Sequence, residues 1–142
     1  MTARLVVVED SPGEVELLRV ILRPYADRLT LSEHGTAESL IEELEDRSIL
    51  PPALLLLDIN LPGASGFVVL ERVRGNPRWR RTPVVVLTSS ADPRDGARAY
   101  DLGASGVVRK PLGVKQFKKT LDGILTYWLE VVVPPPSSEM SG

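Results

Sequence analysis

Five polar positions in this sequence share one setting. Glu9 and Asp10 follow the apolar run at residues 5–8, Asp58 follows residues 53–57, and Thr88 follows residues 84–87. Lys110 comes two residues after a weaker apolar pair at 107–108. Acids, a hydroxyl and an ammonium in such positions can bind a hard metal ion of the kind that sits beside phosphate. If the strand carrying residues 5–8 lies beside the one carrying residues 53–57, three carboxylates converge. Two carboxylates about 5 Å apart at an effective dielectric of about 20 repel by roughly 3 kcal/mol, so the cluster needs a compensating cation. Three carboxylates and the Lys110 ammonium leave a local charge of about −2, which a divalent ion balances; oxygen donors without nitrogen or sulfur suit a hard ion such as Mg²⁺. Taken singly, Glu9 and Asp10 would serve equally well at the positive end of a helix, and Asp58 as a turn residue before Pro62 and Gly63. The recurrence at strand ends, together with Thr88 and Lys110, points to a site with Asp58 as its reactive group.

The elements that must position these groups are also legible. Continuous Val/Leu runs read as strands buried on both faces, the habit of parallel sheets covered by helices. Residues 29–31 alternate instead. Ser11-Pro12 supplies an N-cap and a first-turn proline before Val15, Leu18, Ile21 and Leu22. Thr36 precedes Leu40, Ile41 and Leu44 in the same way, and Gly66 opens Val69, Leu70 and Val73. Asp92-Pro93 repeats the cap-then-proline device, with Gly103 placed to stop that helix. The last helix begins near Gly113 and carries Phe117, Leu121, Ile124, Leu125 and Trp128 on one side. Five strand–helix units with right-handed crossovers predict a single α/β domain built on a doubly wound five-stranded parallel sheet. Ligands of such sheets bind beyond the strands' carboxyl ends, where strand order reverses, and the five polar positions fall at those ends.

Composition narrows the chemistry. The 142 residues include no cysteine and one histidine, His34, which excludes disulfide scaffolds, zinc ribbons, iron–sulfur clusters, thiol nucleophiles and multi-histidine metal sites. His34 reads as a surface or loop residue. Seventeen basic against nineteen acidic residues give a net charge of −2, no electrostatic footprint for nucleic acid. Glu9-Asp10 ends the first apolar run too early for a secretory signal, and no run approaches the roughly 18 residues that span a bilayer, so a cytoplasmic protein is expected. Arg78, Arg80 and Arg81 read as a solvated basic loop. Residues 1–133 form the expected domain; the prolines at 134–136 end regular structure, and residues 134–142 read as a disordered tail.

Four segments carry a specific resemblance: Val8-Glu9-Asp10-Ser11, the run from Leu57-Asp58 through Pro62-Gly63, Val86-Leu87-Thr88-Ser89-Ser90, and Gly103-Ala104 leading to Lys110-Pro111. In order and spacing the chain resembles a response-regulator receiver domain, the phosphoacceptor half of two-component signalling, over residues from about 4 to 126. That family's fold is flavodoxin-like, in keeping with the strand–helix pattern. The resemblance implies that Asp58 accepts a phosphoryl group from a histidine kinase. It also implies that Glu9, Asp10, Asp58 and the backbone carbonyl of Asn60 bind Mg²⁺, and that Thr88 and Lys110 contact the phosphoryl group. Lys110-Pro111 occupies the place of the family's cis peptide bond. One position departs from the pattern: where the family commonly has an aromatic three residues before the lysine, this chain has Val107, so a switch signal would travel through the loop after the fourth strand or a dimer interface.

The aromatic-apolar end, from Tyr127 to Val133, makes the chain most similar to small stand-alone regulators that partner phytochrome-type histidine kinases. A homodimer through the last helix and this segment is expected, against the alternative that the segment folds back over the chain's own sheet. Rival functions are weaker. An aspartate-nucleophile phosphatase would want a second aspartate two positions after the first, where this chain has Asn60. A nucleotide or flavin module lacks a glycine-rich fingerprint after the first strand. A pseudo-receiver that never takes phosphate sits poorly with an intact set of site residues.

Overall fold

The computed structural model describes residues 2–63 and 65–131. Strands β1 (Ala3–Val8), β2 (Leu29–His34), β3 (Leu54–Asp58), β4 (Val84–Thr88) and β5 (Gly106–Arg109) alternate with helices α1 (Pro12–Leu22), α2 (Ala37–Glu45), α3 (Gly66–Gly75), α4 (Pro93–Asp101) and α5 (Val114–Leu125). A short 3₁₀ turn, Arg23–Tyr25, follows α1, and a π-helical segment, Thr126–Val131, extends α5. The five strands are parallel and ordered β2-β1-β3-β4-β5, the doubly wound arrangement expected from the strand–helix pattern. Strand order reverses between β1 and β3, so the crevice lies above their carboxyl ends.

Alternating side chains on the central strands explain why their sequences are continuously apolar. Val6, Val8, Leu55, Leu57, Val84 and Val86 point to one face, where Leu40, Leu44, Phe67, Val69, Leu70, Val73 and Ala99 of α2, α3 and α4 cover them. Leu5, Val7, Leu54, Leu56, Val85 and Leu87 point to the other, against Leu18, Ile21, Phe117, Leu121, Ile124 and Leu125 of α1 and α5. A one-residue register slip would exchange these two sets, so the burial of both faces locks the strand ends in place.

Helix starts follow the cap signals. The Ser11 hydroxyl accepts from Glu14 N at 3.4 Å, Thr36 from Ser39 N at 3.1 Å, and Asp92 from Arg94 N at 2.9 Å. Gly103 ends α4 with φ +102°, a conformation costly for any residue with a Cβ. At the last helix, Trp128 and Leu129 pack against the apolar layer beneath α1 and α5, while Tyr127 is 52% exposed. The expected tail at 134–142, and Val132 and Val133 of the expected dimer segment, lie outside the described residues. Among the described residues, no helix is long and apolar enough to cross a membrane.

Candidate functional site

Strand register builds the site. Val8 pairs with Leu57, so the next residue on each chain, Glu9 and Asp58, emerge side by side from β1 and β3. Glu9, Asp10 and Asp58 each present a carboxylate oxygen, and all three oxygens lie within 4.8 Å of one another. Glu9 and Asp58 are buried and Asp10 is exposed. Three hard oxygen donors so close, on the rim of a crevice, fit a divalent ion of the Mg²⁺ kind better than one preferring nitrogen or sulfur.

The loop after β3 holds Asp58 in one orientation. The Asn60 N–H donates to Asp58 Oδ1 at 2.9 Å, which leaves Oδ2 toward Lys110 at 3.5 Å. The loop is pressed against the start of α3, where Gly66 N donates to Ile59 O at 3.2 Å. A Cβ on Gly66 would stand 2.4 Å from Asp58 O and 2.5 Å from Ile59 Cα. Glycine at 66 is therefore a condition of the site's geometry, a role beyond that of opening a helix.

Lys110 reaches in from beyond β5 and is almost wholly buried, with its side chain 8% exposed. Its ammonium donates to Glu9 Oε2 at 2.7 Å and to Glu14 Oε2 at 2.5 Å. Burial opposes the ammonium's charge, but the bonds to Glu14 and Glu9 and the nearby Asp58 outweigh it and hold Lys110 above the ordinary lysine range. Glu9 is pushed up to about 8, chiefly by burial and then by sharing a hydrogen bond with Glu14, while Lys110 works the other way. Burial also acts against ionised Glu14, yet its contacts with Glu9 and Lys110 keep it below the usual carboxylate value. Sequence reasoning missed Glu14; the available signal was its place three residues after the Ser11 cap, on the turn of α1 nearest the site.

Thr88 ends β4 and is buried, its Oγ1 accepting from Ser90 N at 3.0 Å. Ser90 in turn donates its hydroxyl to Asp95 at 2.6 Å and accepts from Asp92 N at 3.2 Å, so the loop after β4 is tied to the first turn of α4. Lys110 N donates to Thr88 O at 2.8 Å, which couples the ends of β4 and β5. At position 107 the valine is half-buried against the core, and its N–H donates to the hydroxyl of Tyr100 on α4 at 3.1 Å.

Three expectations need correction. His34 is a half-buried residue ending β2, not a loop residue: its ring nitrogens meet Ser39 Oγ at 2.6 Å and Glu43 Oε1 at 2.9 Å. Arg78 is buried, not solvated, because its guanidinium satisfies the backbone carbonyls of Asp46 and Ile49 under the loop after α2; Arg80 and Arg81 are exposed as expected. No peptide bond among the described residues is cis, Lys110–Pro111 included.

Comparison with known proteins agrees with this fold. The family described as response regulator receiver domain matches residues 5–122. Response regulator Rcp1 of Synechocystis is 32% identical over 135 residues, covering 92% of each chain. The phosphorylated cyanobacterial phytochrome response regulator RcpA superposes with a TM-score of 0.89 at 27% identity, over 95% of this chain and 99% of that one. The Mn²⁺-bound form of Rcp1 superposes with a TM-score of 0.85 at 31% identity, over 94% and 99% respectively. With the family model matching residues 5–122 and Rcp1 matched over 92% of each chain, the chain belongs to the response regulator receiver domain family.

Proposed function

We propose that the chain accepts a phosphoryl group on Asp58 from a phosphohistidine of a histidine kinase, in a Mg²⁺-dependent reaction, and so switches a protein-interaction surface. The observation that carries this reading is the triad of carboxylates within 4.8 Å at the ends of β1 and β3, with Lys110 3.5 Å from Asp58. An Asp58 oxygen attacks phosphorus in line as the P–N bond to the donor imidazole breaks, and the bonding pair stays with the nitrogen. Water attack on the resulting acyl phosphate returns the carboxylate and inorganic phosphate. Mg²⁺, held by Glu9, Asp10, Asp58 and the Asn60 carbonyl, would neutralise charge on the phosphoryl oxygens. Lys110 supplies a positive partner for those oxygens, and Thr88 a hydroxyl. Phosphorylation replaces one negative charge with about two, which draws Lys110 and Thr88 toward Asp58. Because Thr88 Oγ1 holds Ser90 and Ser90 holds Asp95, its movement is passed to α4, a population shift between two loop arrangements. No metabolite is turned over; the product is the altered surface.

The likeness to RcpA supports a kinase of the phytochrome type as partner. Association of two copies through α5 and the segment following it is part of the same proposal. Exposed Tyr127 supports it, although Trp128 and Leu129 cover the chain's own core. The test is incubation with a small phosphodonor and Mg²⁺, read by intact mass. The wild-type chain should gain one phosphoryl group and Asp58→Asn none; equal gain in both removes Asp58 from its role.

A further inference from the structure

Ser11-x-x-Glu14 has the spacing of a capping box, in which the acid at the third helical position reaches back to the N-cap backbone N–H. The serine half forms, with Glu14 N donating to Ser11 Oγ at 3.4 Å. The reciprocal half does not, because Ser11 N donates to Glu9 Oε1 at 3.1 Å. Glu14 is thereby released from capping, and its carboxylate takes the Lys110 ammonium at 2.5 Å, its shortest carboxylate contact. Glu9 thus has two occupations in this structure, one oxygen on Ser11 N and the other on Lys110, and a cation held by Glu9, Asp10 and Asp58 would compete for both. Glu14 lies outside that triad, so a metal held there would not claim the carboxylate that Glu14 offers Lys110.

We propose that Glu14 is a positioning residue that holds Lys110 back from the Asp58 phosphoryl group, setting the rate at which that group is gained and lost. The inference rests on the phosphoacceptor reading of Asp58. An arriving phosphoryl group must take the ammonium from a carboxylate, so part of the attraction that would stabilise the acyl phosphate is spent on breaking that contact. Freed of Glu14, Lys110 moves the remaining distance toward Asp58 without this competition. Glu14→Ala should therefore phosphorylate faster with a small phosphodonor and keep its phosphoryl group longer, each by about fivefold, the scale of one partly exposed ion pair. Glu14→Asp, which keeps the charge but retracts it by one methylene, should gain less than Glu14→Ala. Glu14→Gln, which keeps an acceptor oxygen, should fall between.

The experiment follows phosphorylation and phosphoryl loss by intact mass at saturating Mg²⁺, over a range of donor concentrations. The gain should lie in the rate at saturating donor and vanish in a Lys110→Ala background, since Glu14 acts through Lys110. A gain confined to the half-saturating donor concentration, or one that survives without Lys110, overturns the proposal; so does a Glu14→Ala protein no faster than wild type. If the wild-type chain takes no phosphoryl group, the reading of Asp58 falls, and proton exchange at the Lys110 ammonium, followed by ¹⁵N NMR, then decides the inference. Exchange should quicken severalfold in Glu14→Ala, and unchanged exchange overturns the role assigned to Glu14.

Discussion

Replacing Gly66 with alanine adds a single methyl group at the point where α3 meets the loop carrying Asp58. An ideal Cβ there lies 2.4 Å from Asp58 O and 2.5 Å from Ile59 Cα, and reaching even 3.0 Å from these backbone atoms requires a shift of about half an ångström. No flexible side chain can yield, since both nearest atoms are backbone. Overpacking of this kind costs about 1–3 kcal/mol. The shift also strains Gly66 N to Ile59 O and Asn60 N to Asp58 Oδ1, each worth about 1 kcal/mol. The sum is a destabilisation of about 3–5 kcal/mol. Gly96→Ala is the control, because a Cβ at mid-helix Gly96 of α4 meets only Val107 Cγ1 at an ordinary 3.8 Å. There the smaller loss of chain entropy should stabilise by roughly 0.5–1 kcal/mol. Urea unfolding followed by fluorescence of fully buried Trp79 measures both. Mg²⁺ titration of the Gly66→Ala protein should also show weakened affinity, since Asp58 moves with its loop. A Gly66→Ala protein within about 0.5 kcal/mol of wild type, with unchanged Mg²⁺ affinity, would refute the reasoning.

Other consequences are equally open to measurement. Arg78→Ala should lose about 2–4 kcal/mol of stability, since the carbonyls of Asp46 and Ile49 lose buried charge-assisted bonds, while Mg²⁺ affinity stays as in wild type; an unchanged urea midpoint contradicts this. Burial, followed by the hydrogen bond to Asp122, pushes the Tyr25 phenol from 10.0 up to about 12. The folded state thus favours the protonated phenol, and that contribution to stability is complete below pH 10 and fades as pH rises through about 12. Tyr25→Phe should flatten this alkaline decline, and coincident stability profiles for the two proteins would rule the linkage out. Truncation after Thr126 should turn the proposed dimer into a monomer by sedimentation at matched concentration; a truncated chain that still dimerises removes the C-terminal interface.

Much of the fold was legible because both faces of β1, β3 and β4 are covered. The same burial that aligns the strand ends writes itself as continuous Val and Leu runs, with Glu9, Asp58 and Thr88 at the first positions beyond them. Caps at Ser11, Thr36 and Asp92 were readable since their bonds are local. What escaped notice depends on contacts between residues distant in sequence. Arg78 reads as solvated until the carbonyls of Asp46 and Ile49 fold over it, and His34 reads as a surface residue until α2 brings Ser39 and Glu43 against its ring. Glu14 is a different case: its spacing from Ser11 places it on the turn of α1 nearest the site but also fits a capping box, and the diversion of Ser11 N to Glu9 decides between the two. Gly66 likewise reads as a helix opening, and the backbone it touches is visible only in three dimensions.

The most direct measurement identifies the atom that carries phosphorus. Borohydride reduction of the phosphodonor-treated chain converts an acyl-phosphate-bearing aspartate to homoserine, which residue-resolved mass spectrometry locates. Conversion should occur at Asp58 alone, require Mg²⁺, and slow when Lys110 is replaced by alanine. Homoserine at Asp10 in place of Asp58, or none at any position, would contradict the account.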